Sequence, residues 1–191
     1  MNAIRKTRNL LLGLAAFAIC GVPAIAQTSD PPTTNSSSAS LSSSDRQFVD
    51  QAAQGGMAEV ELGRLAEQKG ATAEVRDFGK RMVTDHTKIN DQLKQLATKE
   101  DVTLPQQLNA KDKMTKESLS KLSGEQFDKA YMKDMVKDHT ADIQDFRKES
   151  TAAASPAVKN FASETLPTLE SHLKEAKSIA PKTTATNAMK Y

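Results

Sequence analysis

Between residues 44 and 180, apolar side chains recur at spacings of three, four or seven, and no run alternates with the period of two that marks a strand. The pattern is clearest over residues 72–99. There Val75, Phe78, Met82, Ile89, Leu93 and Leu96 form one seam, as in a helix that packs inside a bundle. A first helix is expected from Ser44, with Gln47 as its capping-box partner, to about Gly70. A third starts at Ser123, with Gln126 as capping partner, and runs to about Thr151. A fourth starts at Ser155, with Pro156 in the favoured first turn, and runs to about Ala180. Four such helices predict an all-α protein, a four-helix bundle.

The segment from Glu100 to Leu122 is too long for a tight helix–helix connection, which usually takes about 2–8 residues. It holds a short amphipathic stretch around Leu108, Met114, Leu119 and Leu122. A connection of that length crosses the bundle lengthwise and leaves the second and third helices parallel. This is the ferritin-like arrangement rather than up-down-up-down.

The ends of the chain follow different rules. Arg5, Lys6 and Arg8 precede an apolar run from Leu10 to Cys20, then Val22-Pro23-Ala24-Ile25-Ala26. Ala24 and Ala26 suit a cleavage site, so residues 1–26 read as a secretory signal cut before Gln27. The apolar run is shorter than the roughly 20 residues of a membrane span. A lipoprotein signal is the alternative, since Cys20 closes the run, but bulky Ile19 precedes it. Residues 27–43, rich in Ser, Thr and Pro, read as a disordered linker, and residues 181–191 as a disordered tail. The folded domain is then 44–180, in a periplasmic or secreted protein with no integral membrane segment once mature.

Composition changes this picture in two ways. Removing the signal takes three of the 26 basic residues and none of the 24 acidic ones, leaving 23 against 24. A near-neutral chain with few rings argues against a nucleic-acid partner. Removal also takes the one cysteine, which excludes a disulfide framework, a thiolate metal site and a cysteine nucleophile.

The chemistry that remains lies in three histidines. Met82-Val83-Thr84-Asp85-His86-Thr87 is matched at five of six positions by Met135-Val136-Lys137-Asp138-His139-Thr140. This repeat implies either a duplicated hairpin or two helices facing the same kind of site. His172 stands on the fourth helix, beside Leu169 and Leu173. Each histidine falls on or near an apolar seam. The first helix has none but offers Glu59, flanked by Gly55-Gly56 and Gly63, glycines that mark a close approach or room for another side chain. With parallel second and third helices, His86 and His139 share one height, and Glu59 and His172 lie roughly one turn above. Helical side chains lean toward their own N-termini, so Glu59, His86, His139 and His172 form a candidate ligand set for copper, zinc or iron. The competing reading makes them core histidines hydrogen-bonded to their neighbours Asp85 and Asp138. Pro167 either kinks the fourth helix and re-aims His172 or marks a packing bend.

Taken together, several stretches resemble the ferritin-like family of exported bacterial proteins labelled domain of unknown function 4142. They are Gly-Gly-Met-Ala-Glu at 55–59, the two Met-Val-x-Asp-His segments, Ser123 to Asp128, and Leu166-Pro167 through His172-Leu173. The resemblance covers Ser44 to Ala180 and implies a ferritin-like bundle in the cell envelope, without a particular activity. The di-iron pattern of the wider group needs a glutamate three residues before a ligand histidine. Val83, Val136 and Leu169 stand there instead, so a standard di-iron oxidase site is absent. Two readings follow: a metal-binding envelope protein, or a cofactor-free stress or interaction module with structural histidines. An enzyme is the weakest reading, since no nucleophile–base pair or phosphate loop is present.

Overall fold

The computed structural model describes residues 41–185, with side chains to residue 180. The expected export signal, residues 27–40 of the linker and residues 186–191 of the tail lie outside the described residues. The described residues form five helices and no strand: α1 (Ser43–Lys69), α2 (Ala73–Lys99), α3 (Ala110–Ser120), α4 (Gly124–Ala152) and α5 (Pro156–Ala185). The four long helices make the bundle, and α3 is the short helix expected in the connection.

The start of α1 comes a turn-fraction earlier than its capping pattern suggested. Ser42 is the cap, its Oγ accepting from the Asp45 amide at 3.1 Å. Leu41 just before it is buried, so apolar packing selects among the three consecutive serines. Thr72 caps α2 by accepting from the Val75 amide. Ser123 precedes α4 without a side-chain capping bond, in contrast to the expected box with Gln126. At the far end, α5 carries on through Pro181 to Ala185, into the segment expected to be tail. It also runs through Pro167, which lies on the exposed side of the helix with Ser163.

Two buried aspartates fix how the hairpins meet. Asp45, in the first turn of α1, accepts from the Ala154 and Ser155 amides at 3.2 and 2.8 Å. Asp128, in α4, accepts from the Ala71 and Thr72 amides at 2.8 and 3.0 Å and from the Thr72 hydroxyl at 3.0 Å. Each carboxylate therefore supplies acceptors for the orphan amides at the start of the opposite hairpin's second helix. The start of α1 thus lies against the start of α5, and the start of α4 against the start of α2. So α2 and α4 run parallel, as the long connection implied. The same interval separates Asp45 from Asp128, Thr72 from Ser155, Val75 from Val158 and Phe78 from Phe161. The two hairpins are equivalent units in that register. The Met-Val-x-Asp-His repeat does not follow it, because it matches the second helix of one hairpin to the first of the other. What the repeat does match is α2 to α4, whose His86 and His139 lie side by side with ring centroids 5.7 Å apart.

Glycines bring α1 and α2 together. A Cβ on Gly79 would lie 2.7 Å from the Gly63 carbonyl oxygen, and one on Gly56 would lie 1.9 Å from Asn90 Oδ1. The core falls into two apolar clusters. Phe48, Leu93, Phe146 and Phe161 belong to one, and Phe78, Phe127, Tyr131 and Met135 to the other. Buried polar side chains lie along the same bundle interior: Glu59, His86, His139 and His172.

Candidate metal centre

His86 comes from α2, His139 from α4 and His172 from α5, and all three are buried, the last two completely. Ring centroids are 5.3–5.7 Å apart for the three pairs. One nitrogen from each ring lies within 4.8 Å of the other two. Heptad-like spacing puts each ring on an interior face, and parallel α2 and α4 bring His86 and His139 to one height.

The hydrogen bonds settle which nitrogens carry protons. His139 Nδ1 is 3.0 Å from the Met135 carbonyl oxygen, which can only accept, so Nδ1–H donates. His172 Nε2 is 2.8 Å from Asp85 Oδ2, and it donates to that carboxylate. The remaining nitrogens, His139 Nε2 and His172 Nδ1, are 3.4 Å apart. In neutral imidazoles both are lone pairs, and no hydrogen bond joins them. Neither ring nitrogen of His86 has a hydrogen-bond partner among the described residues.

A proton is a poor solution to this conflict. Burial drives His86 well below the ordinary imidazole range, and His139 and His172 push it further. Burial and the neighbouring His172 bring His139 down to about 4, against the opposing bond from Met135. His172 is also lowered by burial, with the Asp85 hydrogen bond working in the other direction. A cation that coordinates lone pairs fits better. Two metal–nitrogen bonds of about 2.0–2.1 Å at a tetrahedral angle separate their donors by roughly 3.4 Å. His86 would have to swing in by an ångström or so to complete the set.

Glu59 takes a different place. It is buried, and its Oε1 lies 3.7 Å from His139 Nδ1, the nitrogen that faces away from His172. Its Oε2 has no hydrogen-bond partner among the described residues. Burial, then Asp142, Asp138, Asp134 and Asp112, hold its carboxyl well above the usual range. Asp85, whose adjacent histidine was its expected partner, reaches His172 on another helix instead. It is held in turn by Arg81, whose Nε lies 3.3 Å away and whose other nitrogens reach Ser171 and Glu175. A carboxylate and a carbonyl behind two ring N–H groups are the usual means of orienting metal-ligating imidazoles. Sequence reasoning missed Asp85 and Arg81 in these roles. Their i,i+4 spacing on one helix face was the signal available.

Comparison with known proteins bears on family and fold. The pattern of the family described as Domain of unknown function (DUF4142) matches residues 30–179. No curated protein matches the chain. The crystal structure of a DUF305 fragment from Deinococcus radiodurans is similar, with a TM-score of 0.66 at 13% identity, over 75% of this chain and 99% of that one. At this identity the likeness bears on the fold alone.

Proposed function

The chain belongs to the DUF4142 family, and we propose that it binds one late first-row transition-metal ion, copper or zinc, through His86, His139 and His172. The observation that carries this reading is the pair of imidazole lone pairs 3.4 Å apart, each fixed by a hydrogen bond on the opposite side of its ring. Neutral imidazole suits copper and zinc, and among the described residues no carboxylate joins the three nitrogens in the coordinating set, which makes iron a weaker fit. Three protein ligands leave a fourth tetrahedral position for water or an exchanging ligand. Glu59, behind His139, acts on that imidazole rather than on the metal. With residues 1–26 read as an export signal, binding takes place in the periplasm or outside the cell, as carriage or buffering of the ion.

Equilibrium titration of the purified, chelator-treated protein with zinc and with copper tests this. One equivalent bound, and lost in His139→Leu and in His172→Leu, supports it. A protein that takes up neither metal refutes it and returns the histidines to a structural role in an interaction module.

A further inference from the structure

A groove of about 410 Å³ runs between α1, the connection bearing α3, and α4. Its walls carry Asp50, Glu59, Asp112, Asp138, Asp142 and Asp145 against a single cation, Lys111. Deepest among them is Glu59, 3% exposed, with Oε2 lacking a partner among the described residues. A second cavity, about 40 Å³, shares Gln51, Gly55, Asp142 and Asp145 with the groove and has His86 in its wall. The rest of that cavity is mostly apolar, including Phe48, Ile89 and Leu169. One water needs about 10–15 Å³ of such space, so the inner cavity admits an ion that keeps part of its hydration.

Gly55 lines both spaces. A glycine inside a helix costs about 0.5–1 kcal/mol relative to alanine, and it is usually explained by close packing. Packing does not explain this one, because a Cβ at Gly55 would meet nothing within 4 Å. Gly56 beside it is different, since its hydrogen makes way for Asn90. The open space beside Gly55 lies in the wall common to the groove and the inner cavity.

We propose that the acidic groove is the loading route for the metal, in which Asp142 and Asp145 pass a divalent cation across Gly55 to His86. The proposal rests on the reading of the three histidines as a metal site. A concave surface lined by one sign of charge focuses the field and raises the association rate of an opposite charge, and salt weakens that effect. His86, with both ring nitrogens unpartnered among the described residues, is the first histidine reached and the one that must swing to close the set.

The test is stopped-flow loading of the full chain with zinc ions, read with a fluorescent zinc indicator over a range of salt. Equilibrium affinity and circular dichroism are measured on the same samples. The double variant Asp142→Asn, Asp145→Asn should load at least tenfold more slowly and lose most of the salt dependence, with affinity changed less than threefold. Gly55→Leu should also load slowly at unchanged affinity, whereas Gly55→Ala should load at the wild-type rate. Variants that bind one equivalent at the wild-type rate and salt dependence overturn the route and leave the histidine site standing. A double variant that loses affinity in proportion to rate also overturns it, because the aspartates would then be ligands. A wild-type protein that binds no zinc overturns both readings.

Discussion

Replacing His86 by leucine separates a histidine kept for structure from one kept for a ligand. A neutral imidazole always carries one N–H, and in His86 neither ring nitrogen finds a partner among the described residues, at 3% exposure. A buried polar group left unsatisfied costs about 1–3 kcal/mol. Leucine is close to histidine in volume, and the cavity of about 40 Å³ against His86 accommodates the difference in shape. The metal-free His86→Leu protein should therefore be more stable by about 1–3 kcal/mol. For a bundle of roughly 140 residues that raises Tm by about 3–10 °C. Saturating metal should then reverse the order, because an ion at about 1,000 times its Kd adds about 4.1 kcal/mol to the wild type and nothing to a variant that cannot bind it. Melting by circular dichroism, first with chelator and then with excess zinc, reads both effects. Loss of more than about 1 kcal/mol in the metal-free variant would refute the reasoning, since His86 would then be holding a structural partner.

Asp85→Ala removes the acceptor that orients His172 and should weaken metal binding 10–100-fold without loss of helix, as competition titration and far-ultraviolet dichroism would show. Asp128→Ala strips two amides and a hydroxyl of a buried acceptor and should cost about 3–5 kcal/mol in urea unfolding. A loss below about 1 kcal/mol would mean the hairpins do not depend on it. The pH dependence should show two opposing trends. His139, lowered from 6.5 to about 4, contributes stability that is complete above pH 6.5 and lost as pH falls toward 4. Asp142, raised from 3.8 to about 7 by burial and then by Asp138 and Asp145, contributes stability that is complete below pH 3.8 and lost as pH rises toward 7. Asp142→Asn should thus stabilise the metal-free protein by about 1–3 kcal/mol at pH 8, allowing for solvent screening in the groove, with the gain fading by pH 4. A gain that does not vary with pH would contradict this assignment.

The helices were readable because their signals are local. The seam from Val75 to Leu96, the Ser155-Pro156 start and the length of the connection fix α2, the second hairpin's turn and the parallel run of α2 and α4. The convergence of three histidines also followed, since each sits at a seam position and parallel helices match their heights. Less legible was anything decided between helices. Asp85 and His86 are adjacent in sequence but point in different directions from the helix axis, so Asp85 meets His172 across the interface. Glu59 was expected among the ligands, but the packing of α1 against α4 decides that it faces His139 Nδ1. Asp45 and Asp128 gave no local sign at all, because their partners lie on the opposite hairpin. The equal spacing of the pairs Asp45–Thr72 and Asp128–Ser155 was the trace available. At the start of α1, consecutive serines offer nearly equivalent caps, and the burial of Leu41 breaks the tie.

The central claim is that three imidazoles on three helices hold one metal ion. X-ray absorption at the metal edge, on protein loaded with one equivalent of zinc and desalted, addresses it most directly. The account predicts a nitrogen shell at about 2.0–2.1 Å, with the outer-shell scattering of three imidazole rings, and no zinc edge left in desalted His139→Leu. An oxygen shell without imidazole scattering, or a spectrum unchanged by His139→Leu, would contradict it.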